Sequence, residues 1–361
     1  MSDAAPPAKR SRRSSGAVTL HDVARLAGVA PITASRALNT PAQVSAEVLR
    51  KVSEAVARTG YVPNRLAGGL ASTRSRLVAL VVPTVSGPVF LDTIQALTET
   101  LDAAGYQLMV GQAGYEGRRE DALLEAIIGR RPDGIVLTGI LHSDASRRRL
   151  LASGIPVVET WDLTPTPLDM LVGFSHQAVG EAVARYLHGR GRRRLATLSG
   201  DDPRATQRAQ AFARAAEALG LPPVRAVVVK APTTLQAGRG ALTALMAEHD
   251  APTTLPATRR GRGRMAGPPV DAVFCSSDLL ALGLLTEARM QGLAVPDDLA
   301  VVGFGDLEMA AQAAPAISSV SVNGAGIGVQ AARFLIERAE GRAVAERVVD
   351  IGFRLIERHS S

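Results

Sequence analysis

From Leu77 onward the chain repeats one unit: a short apolar run, a glycine turn and a helical stretch. LVALVVP, YQLMVGQ, DGIVLTG and GIPVVETW are runs of strand type. Helical stretches are predicted between them over 90–104, 120–129 and 145–153. After Leu171 the alternation resumes, with helices over 176–188, 204–219, 235–248 and 279–291. The strands of this second series are RLATLSG, RAVVVKA, DAVFCSS and LAVVGFG. Buried-type strands in strict alternation with helices predict parallel sheets covered on both faces. The expectation is two doubly wound subdomains in tandem. Ligands of such sheets bind beyond the carboxyl ends of the strands, so two units facing each other make a cleft.

A different pattern precedes this one. Thr19 and Asp22 offer a capping-box start, and Leu20, Val23, Ala24 and Ala27 share one helical face. Gly28 ends that helix, and a second runs from near Pro31 to Leu38. A glycine turn between two short amphipathic helices is the sequence form of a helix-turn-helix. The second helix of that motif presents its N-terminal residues to base edges, here Pro31, Ile32 and Thr33 with Ser35 and Arg36 following. Ser45 can cap a third helix, with Val44 and Leu49 as a staple and Val48, Val52 and Val56 as its buried stripe.

Charge supports a nucleic-acid partner. Residues 1–74 hold 11 Lys and Arg against 4 Asp and Glu, and the rest of the chain holds 30 against 30. The net charge of +7 therefore sits on the helical end. Residues 1–17 read as a disordered basic arm, in which Lys9, Arg10, Arg12 and Arg13 add phosphate attraction. They lack the apolar stretch of a signal peptide, and no run reaches membrane-spanning length. Cys275 is the one cysteine, which fits a reducing compartment. The expectation is a cytoplasmic, nucleoid-associated protein without membrane contact.

VTLHDVARLAGVAPITASRALN, then VSAEVLRKV, then GYVPNRLA, resembles the DNA-binding headpiece of the lactose-repressor (LacI/GalR) family. The resemblance implies a helix-turn-helix domain over 18–63 and a hinge helix over 64–74 that pairs with its twin in a homodimer on double-stranded operator DNA. It places Thr19, Ile32, Thr33, Ser35, Arg36 and Asn39 at DNA-facing positions, joined by Pro31 from the motif. Asn64 opens the hinge, Ala67 matches a small residue in the minor groove, and Leu70 matches the leucine that wedges into it. Two departures stand out. Ala30 replaces a capping Ser, a loss on the order of 1 kcal/mol. Gly68 and Gly69 occupy hinge-helix interior positions, each disfavouring helix by about 1 kcal/mol.

The resemblance extends to the effector-binding core, 75–361, itself similar to periplasmic sugar-binding proteins. It implies crossings between subdomains near Phe174, Asn323 and Gly341. The first subdomain is then 75–174 with 324–342, and the second 175–323 with 343–361. Residues 251–269, rich in Arg, Gly and Pro, read as an inserted surface loop rather than a nucleic-acid contact. Strand ends and the resemblance nominate Phe90, Glu159, Trp161, Asp162, His176, Arg208, Ser277, Asp278 and Asp306 for a small-molecule effector. Trp161 reads equally as a stacking platform or a core residue. Arg208 matches the arginine that grips hydroxyls or carboxylates in the family. Asp278 reads as half cap, half ligand contact, and His176 as structural or ligand-touching.

GYQLMVGQAGYEGRREDALLEAI, RPDGIVLTG, GIPVVETWDL and VGFSHQAVG are most similar to gluconate-utilisation repressors, which implies a sugar-acid effector such as gluconate. The same residues are compatible with another sugar, a phosphosugar, a corepressor or an activator. No cofactor is expected. GAGIG at 324–328 lacks dinucleotide-loop spacing and reads as a turn opening a helix. The six histidines, at positions 21, 142, 176, 188, 249 and 359, show no metal-ligand spacing. A sugar-acid-metabolising enzyme would need a catalytic constellation that the sequence does not offer.

Overall fold

The computed structural model describes residues 18–62, 74–115, 117–247 and 269–361. The expected basic arm, the hinge positions Asn64, Ala67, Gly68, Gly69 and Leu70, and all of 251–269 except Pro269 lie outside these residues. The chain divides into a unit ending at Thr73 and a unit beginning at Arg74.

In the first unit, α1 (Leu20–Ala27), α2 (Pro31–Asn39) and α3 (Ala46–Thr59) pack around Val23, Ala24, Ala34, Ala37, Val52 and Ala55. Thr19 and Asp22 form the full capping box, and Gly28 takes the left-handed conformation at φ 66° that ends α1. The Ser45 side chain accepts the Val48 amide and caps α3. No side chain caps α2 at Ala30, although Pro31 suits its first turn. Val44, Val48, Leu49 and Val56 lie half-buried against the small core.

The second unit holds two six-stranded sheets. In the first lobe β1 (Leu77–Val82), β2 (Gln107–Gln112), β3 (Gly134–Thr138), β4 (Val157–Thr160) and β5 (Met170–Gly173) alternate with α4 (Leu91–Ala103), α5 (Gly117–Ile128) and α6 (Asp144–Ser153). The second lobe opens with α7 (His176–Gly189), β6 (Leu195–Gly200), α8 (Pro203–Ala218), β7 (Arg225–Val229) and α9 (Leu235–Met246). It continues with β8 (Ala272–Cys275), α10 (Asp278–Met290), β9 (Ala300–Phe304), the short α11 (Glu308–Gln312) and β10 (Ser318–Ser321). Then come α12 (Gly324–Ala339), β11 (Val348–Asp350) and β12 (Arg354–Ile356).

The strand orders are β11-β5-β4-β3-β1-β2 and β12-β10-β9-β8-β6-β7. Within each sheet the order reverses beside β1 or β6, which puts the switch points at Val82–Thr84 and Gly200–Asp202. All pairings are parallel except that of β12 with β10. The strands bury on both faces: β1, β3, β4, β6, β8 and β9 are almost wholly buried. That burial explains their continuous Val, Ile, Leu and Ala runs.

One expected boundary moves. Residues 343–361 do not all belong to the second lobe, because β11 pairs with β5 of the first. The third crossing therefore falls between Asp350 and Arg354, not near Gly341. Gly341, at φ 78°, only ends α12. An edge strand of three residues carries too little pattern to show its lobe, whereas its parallel register on Leu171, Val172 and Gly173 of β5 does. Residues 324–328 open α12 with Asn323 as cap, as a plain helix start. Gly328 there is a packing device: a Cβ would stand 2.4 Å from the Thr93 carbonyl oxygen of α4.

Among the described residues no helix is long and apolar enough to cross a membrane.

Candidate functional site

The side chains nominated from the sequence fall on two surfaces, one on each unit. On α2 the buried positions are Ala34 and Ala37, which turn Pro31, Ile32, Arg36 and Asn39 outward. Thr33 and Ser35 are half-buried. Ile32 is 64% exposed, a large apolar side chain offered to its surroundings at the start of a helix. Thr19 is exposed, but its hydroxyl donates to Asp22 at 2.7 Å. Asn39 is tied back to α2 through the Ser35 carbonyl at 3.0 Å.

The second surface is the cleft between the lobes of the core. Its main chamber holds about 720 Å³, counting solvent at its mouth. Phe90 and Trp161 come from the first lobe, and His176, Arg208, Ser277 and Phe304 from the second. Trp161 sits in the core and on the chamber wall together. Its ring is buried in the core, edge-on to Phe90 at 5.1 Å and to Phe174 at 5.9 Å, yet it also lines the chamber. Its indole N–H donates to Thr93 at 3.1 Å, and its backbone takes the left-handed conformation at φ 64°.

Arg208 is the centre of the second lobe's wall. It is 5% exposed and lies 3.9 Å from the Phe304 ring centroid. Nη1 donates to His176 Nδ1 at 3.0 Å, and Nη2 to the Ser276 carbonyl at 3.2 Å. The other His176 nitrogen, Nε2, donates to the Trp161 carbonyl at 2.9 Å. This pattern needs a neutral imidazole, and burial together with Arg208 and Arg204 holds His176 well below the usual histidine range. Burial pushes the Arg208 guanidinium down to about 10, so it remains cationic at neutral pH. Its Nε has no hydrogen-bond partner. Gly180 on α7 fixes the helix that carries it: a Cβ there would stand 2.2 Å from the Arg208 carbonyl oxygen.

The remaining candidates divide. Ser277 lines the chamber while capping α10, with Thr233 at 2.8 Å. Asp162 lines an adjoining chamber. Glu159, Asp278 and Asp306 do not reach either wall. Glu159 is fully buried and accepts the Leu168 amide at 2.7 Å. Asp278 turns inward to Ser319 at 2.7 Å and the Leu307 amide at 2.7 Å, and burial pushes its carboxyl up to about 6. Asp306, at φ 53°, is taken by Arg358 at 2.7 Å.

Arg204, Tyr115, Thr84 and Asp202 also line the main chamber without having been nominated. Arg204 had a readable signal, since it stands four residues before Arg208 on one helix and hence on the same face. Tyr115 follows β2 on a loop with no distinguishing pattern.

The model for bacterial regulatory proteins of the lacI family matches residues 19–64. The model for periplasmic binding proteins and the sugar binding domain of the LacI family matches residues 75–258. The chain belongs to the LacI family. A periplasmic-binding-protein-like model also covers residues 184–361. A family relative, the HTH-type transcriptional regulator GntR of Pseudomonas aeruginosa, is 36% identical over 98% of each chain. GntR of Escherichia coli K12 is 31% identical over 93% of this chain and 96% of its own. A solved LacI-family regulator from Silicibacter pomeroyi superposes with a TM-score of 0.84 at 28% identity, over 95% of this chain and 99% of its own. This LacI-family member is a DNA-binding transcriptional repressor, and its relatives are regulators rather than enzymes.

Proposed function

We propose that the protein is a cytoplasmic, dimeric repressor that leaves a near-palindromic operator when a small sugar acid, gluconate or a related aldonate, fills the cleft. The observation that carries the ligand class is the charge of the main chamber. Arg204 and Arg208 line it against the single carboxylate of Asp202, whose Oδ1 accepts the Arg204 and Ala205 amides at 3.1 Å and 3.0 Å and so is held at the start of α8. Thr84, Thr233 and Ser277 supply hydroxyl partners, and Phe90, Trp161 and Phe304 supply apolar faces. A guanidinium pair with hydroxyls and aromatic walls suits a polyhydroxylated anion. The resemblance of the first lobe to gluconate-utilisation repressors points the same way.

On DNA, Pro31, Ile32, Thr33, Ser35, Arg36, Asn39 and Thr19 would face the operator. Asn64, Ala67 and Leu70 would form the paired hinge that bends its centre. Ligand must bind the DNA-free form more tightly than the DNA-bound form, or it shifts nothing.

Calorimetry on the full chain tests the ligand class. Gluconate is expected to bind, glucose to bind at least ~10-fold more weakly, and Arg208→Gln to remove gluconate binding. Equal binding of glucose and gluconate would contradict an anionic effector.

A further inference from the structure

Four residues of α2 are exposed: Pro31, Ile32, Arg36 and Asn39. Ala34 and Ala37 hold the opposite side of the helix in the headpiece core. The chemistry of the exposed four is uneven along the helix. Pro31 and Ile32 carry no polar side-chain atom, and they open the first turn, the part of a recognition helix that meets base edges. Ala30 before them adds no polar group, and Thr33 after them is half-buried. Further along, Asn39 directs its amide nitrogen to the Ser35 carbonyl at 3.0 Å and the Ser35 hydroxyl at 3.3 Å. The hydrogens that an asparagine gives to adenine N7 are thereby engaged within the helix. Arg36 is the one exposed residue of α2 with a charged head and a fork of donors.

A lone exposed isoleucine needs no explanation elsewhere on a surface. On the leading turn of the second helix of a helix-turn-helix it limits what can be read. A polar base edge brought against Ile32 or Pro31 loses its water and gains no partner, which costs affinity. The thymine C5-methyl is the one apolar group that a base pair shows in the major groove. Covering that methyl with an aliphatic side chain removes apolar surface from water on both partners.

We propose that Ile32 is a thymine-methyl reader. In each half-site its side chain packs on the C5-methyl of one thymine, and Arg36, one turn along the same face, takes a neighbouring guanine through O6 and N7. The proposal rests on the reading that α2 faces the operator, and it adds which bases that face selects. Ile32 and Arg36 stand four residues apart, about 6 Å along the helix axis, so the thymine and the guanine lie one to two base pairs from each other. A methyl reader does not separate thymine from 5-methylcytosine by that contact. Methylated cytosine at the same position is therefore accepted where cytosine is not.

The test uses the full-length protein and the tightest duplex that it selects from a randomised palindromic pool, with fluorescence anisotropy at fixed salt. Thymines are replaced by uracil one symmetric pair at a time, which deletes a methyl and keeps every hydrogen-bonding group. One such pair is expected to weaken the wild type about 15-fold, roughly fourfold for each of two half-sites. Ile32→Ala alters an exposed side chain and leaves the headpiece core intact. It is expected to bind the thymine duplex about 15-fold more weakly and to lose less than ~2-fold more when that pair becomes uracil. Cytosine at the pair, with guanine opposite, is expected to weaken the wild type, and 5-methylcytosine to recover about 10-fold over cytosine. A wild type that no uracil pair weakens, or a uracil penalty that stays whole in Ile32→Ala, would overturn the methyl reader. Arg36→Ala separates this failure from a deeper one. Operator binding as tight as wild type in that variant would overturn the reading that α2 faces DNA, and the methyl reader with it.

Discussion

Arg204, on the second lobe, donates from Nη1 to the Thr138 carbonyl at the end of β3 on the first lobe, 3.2 Å across the cleft. The same guanidinium lies 5.5 Å from the Phe90 ring centroid, another first-lobe group. One side chain thus joins the lobes, lines both chambers and carries the charge that an anion would meet. Arg204→Met keeps the aliphatic stem on the cleft wall and removes the link between the lobes and the charge. A charge-assisted contact of this kind contributes roughly 1.5–3 kcal/mol. Gluconate affinity should fall about 10- to 100-fold, measured by calorimetry. An unchanged affinity would place the ligand elsewhere.

Arg208 should be less tolerant of a conservative change than its charge suggests. Its two terminal nitrogens bond His176 and Ser276 in fixed directions. Lysine keeps the charge but cannot span both partners or lie flat on Phe304. Arg208→Lys is expected to weaken the sugar acid by at least ~10-fold, with little change in operator affinity without ligand. Full retention of binding would show that charge alone suffices.

The His142 cluster gives the stability a pH dependence of known sign. The imidazole titrates near 6.5 when unperturbed and near 9 in the folded chain, where Glu120 and Glu159 face it. A raised folded value means that its stabilisation is present in full below 6.5 and is lost as the pH climbs through 9. Thermal unfolding of wild type and His142→Gln should differ most in mildly acidic buffer. The difference should shrink progressively above neutrality. A constant difference across that window would contradict the assignment.

The alternation of apolar runs and helices made both sheets legible, because buried parallel strands carry an unbroken pattern. The site was legible where the side chain's position follows from its element. Phe90, Trp161 and Arg208 stand at strand ends or on the first turns of a cleft-facing helix. Glu159, Asp278 and Asp306 stand at equally good places in the chain, yet their carboxylates turn to Leu168, Ser319 and Arg358. Strand-end position says where a residue sits but not which neighbouring donor claims its side chain. His142 and Glu120 were silent for the same reason: their pairing joins the loop after β3 to the first turn of α5, 22 residues apart. The final crossing was hidden because β11 is only three residues long.

The headpiece offers an independent check of how sequence sets local stability. Ala30 leaves the first amides of α2 without a side-chain cap. Ala30→Ser is expected to stabilise that end by about 1 kcal/mol. Hydrogen exchange at the first-turn amides of α2 in the full chain should slow about fivefold if local opening governs it. Unaltered exchange would mean that Pro31 alone already fixes the turn.

The central claim is a coupling between a sugar acid in the cleft and operator release. It is tested most directly by fluorescence anisotropy on a labelled palindromic fragment from the protein's own upstream DNA, at fixed salt, with gluconate and then 6-phosphogluconate titrated in. Release of the wild type by one of these acids, and failure of the same acid to release Arg208→Gln, is the predicted result. Binding that neither acid alters, or that either one tightens, would contradict it.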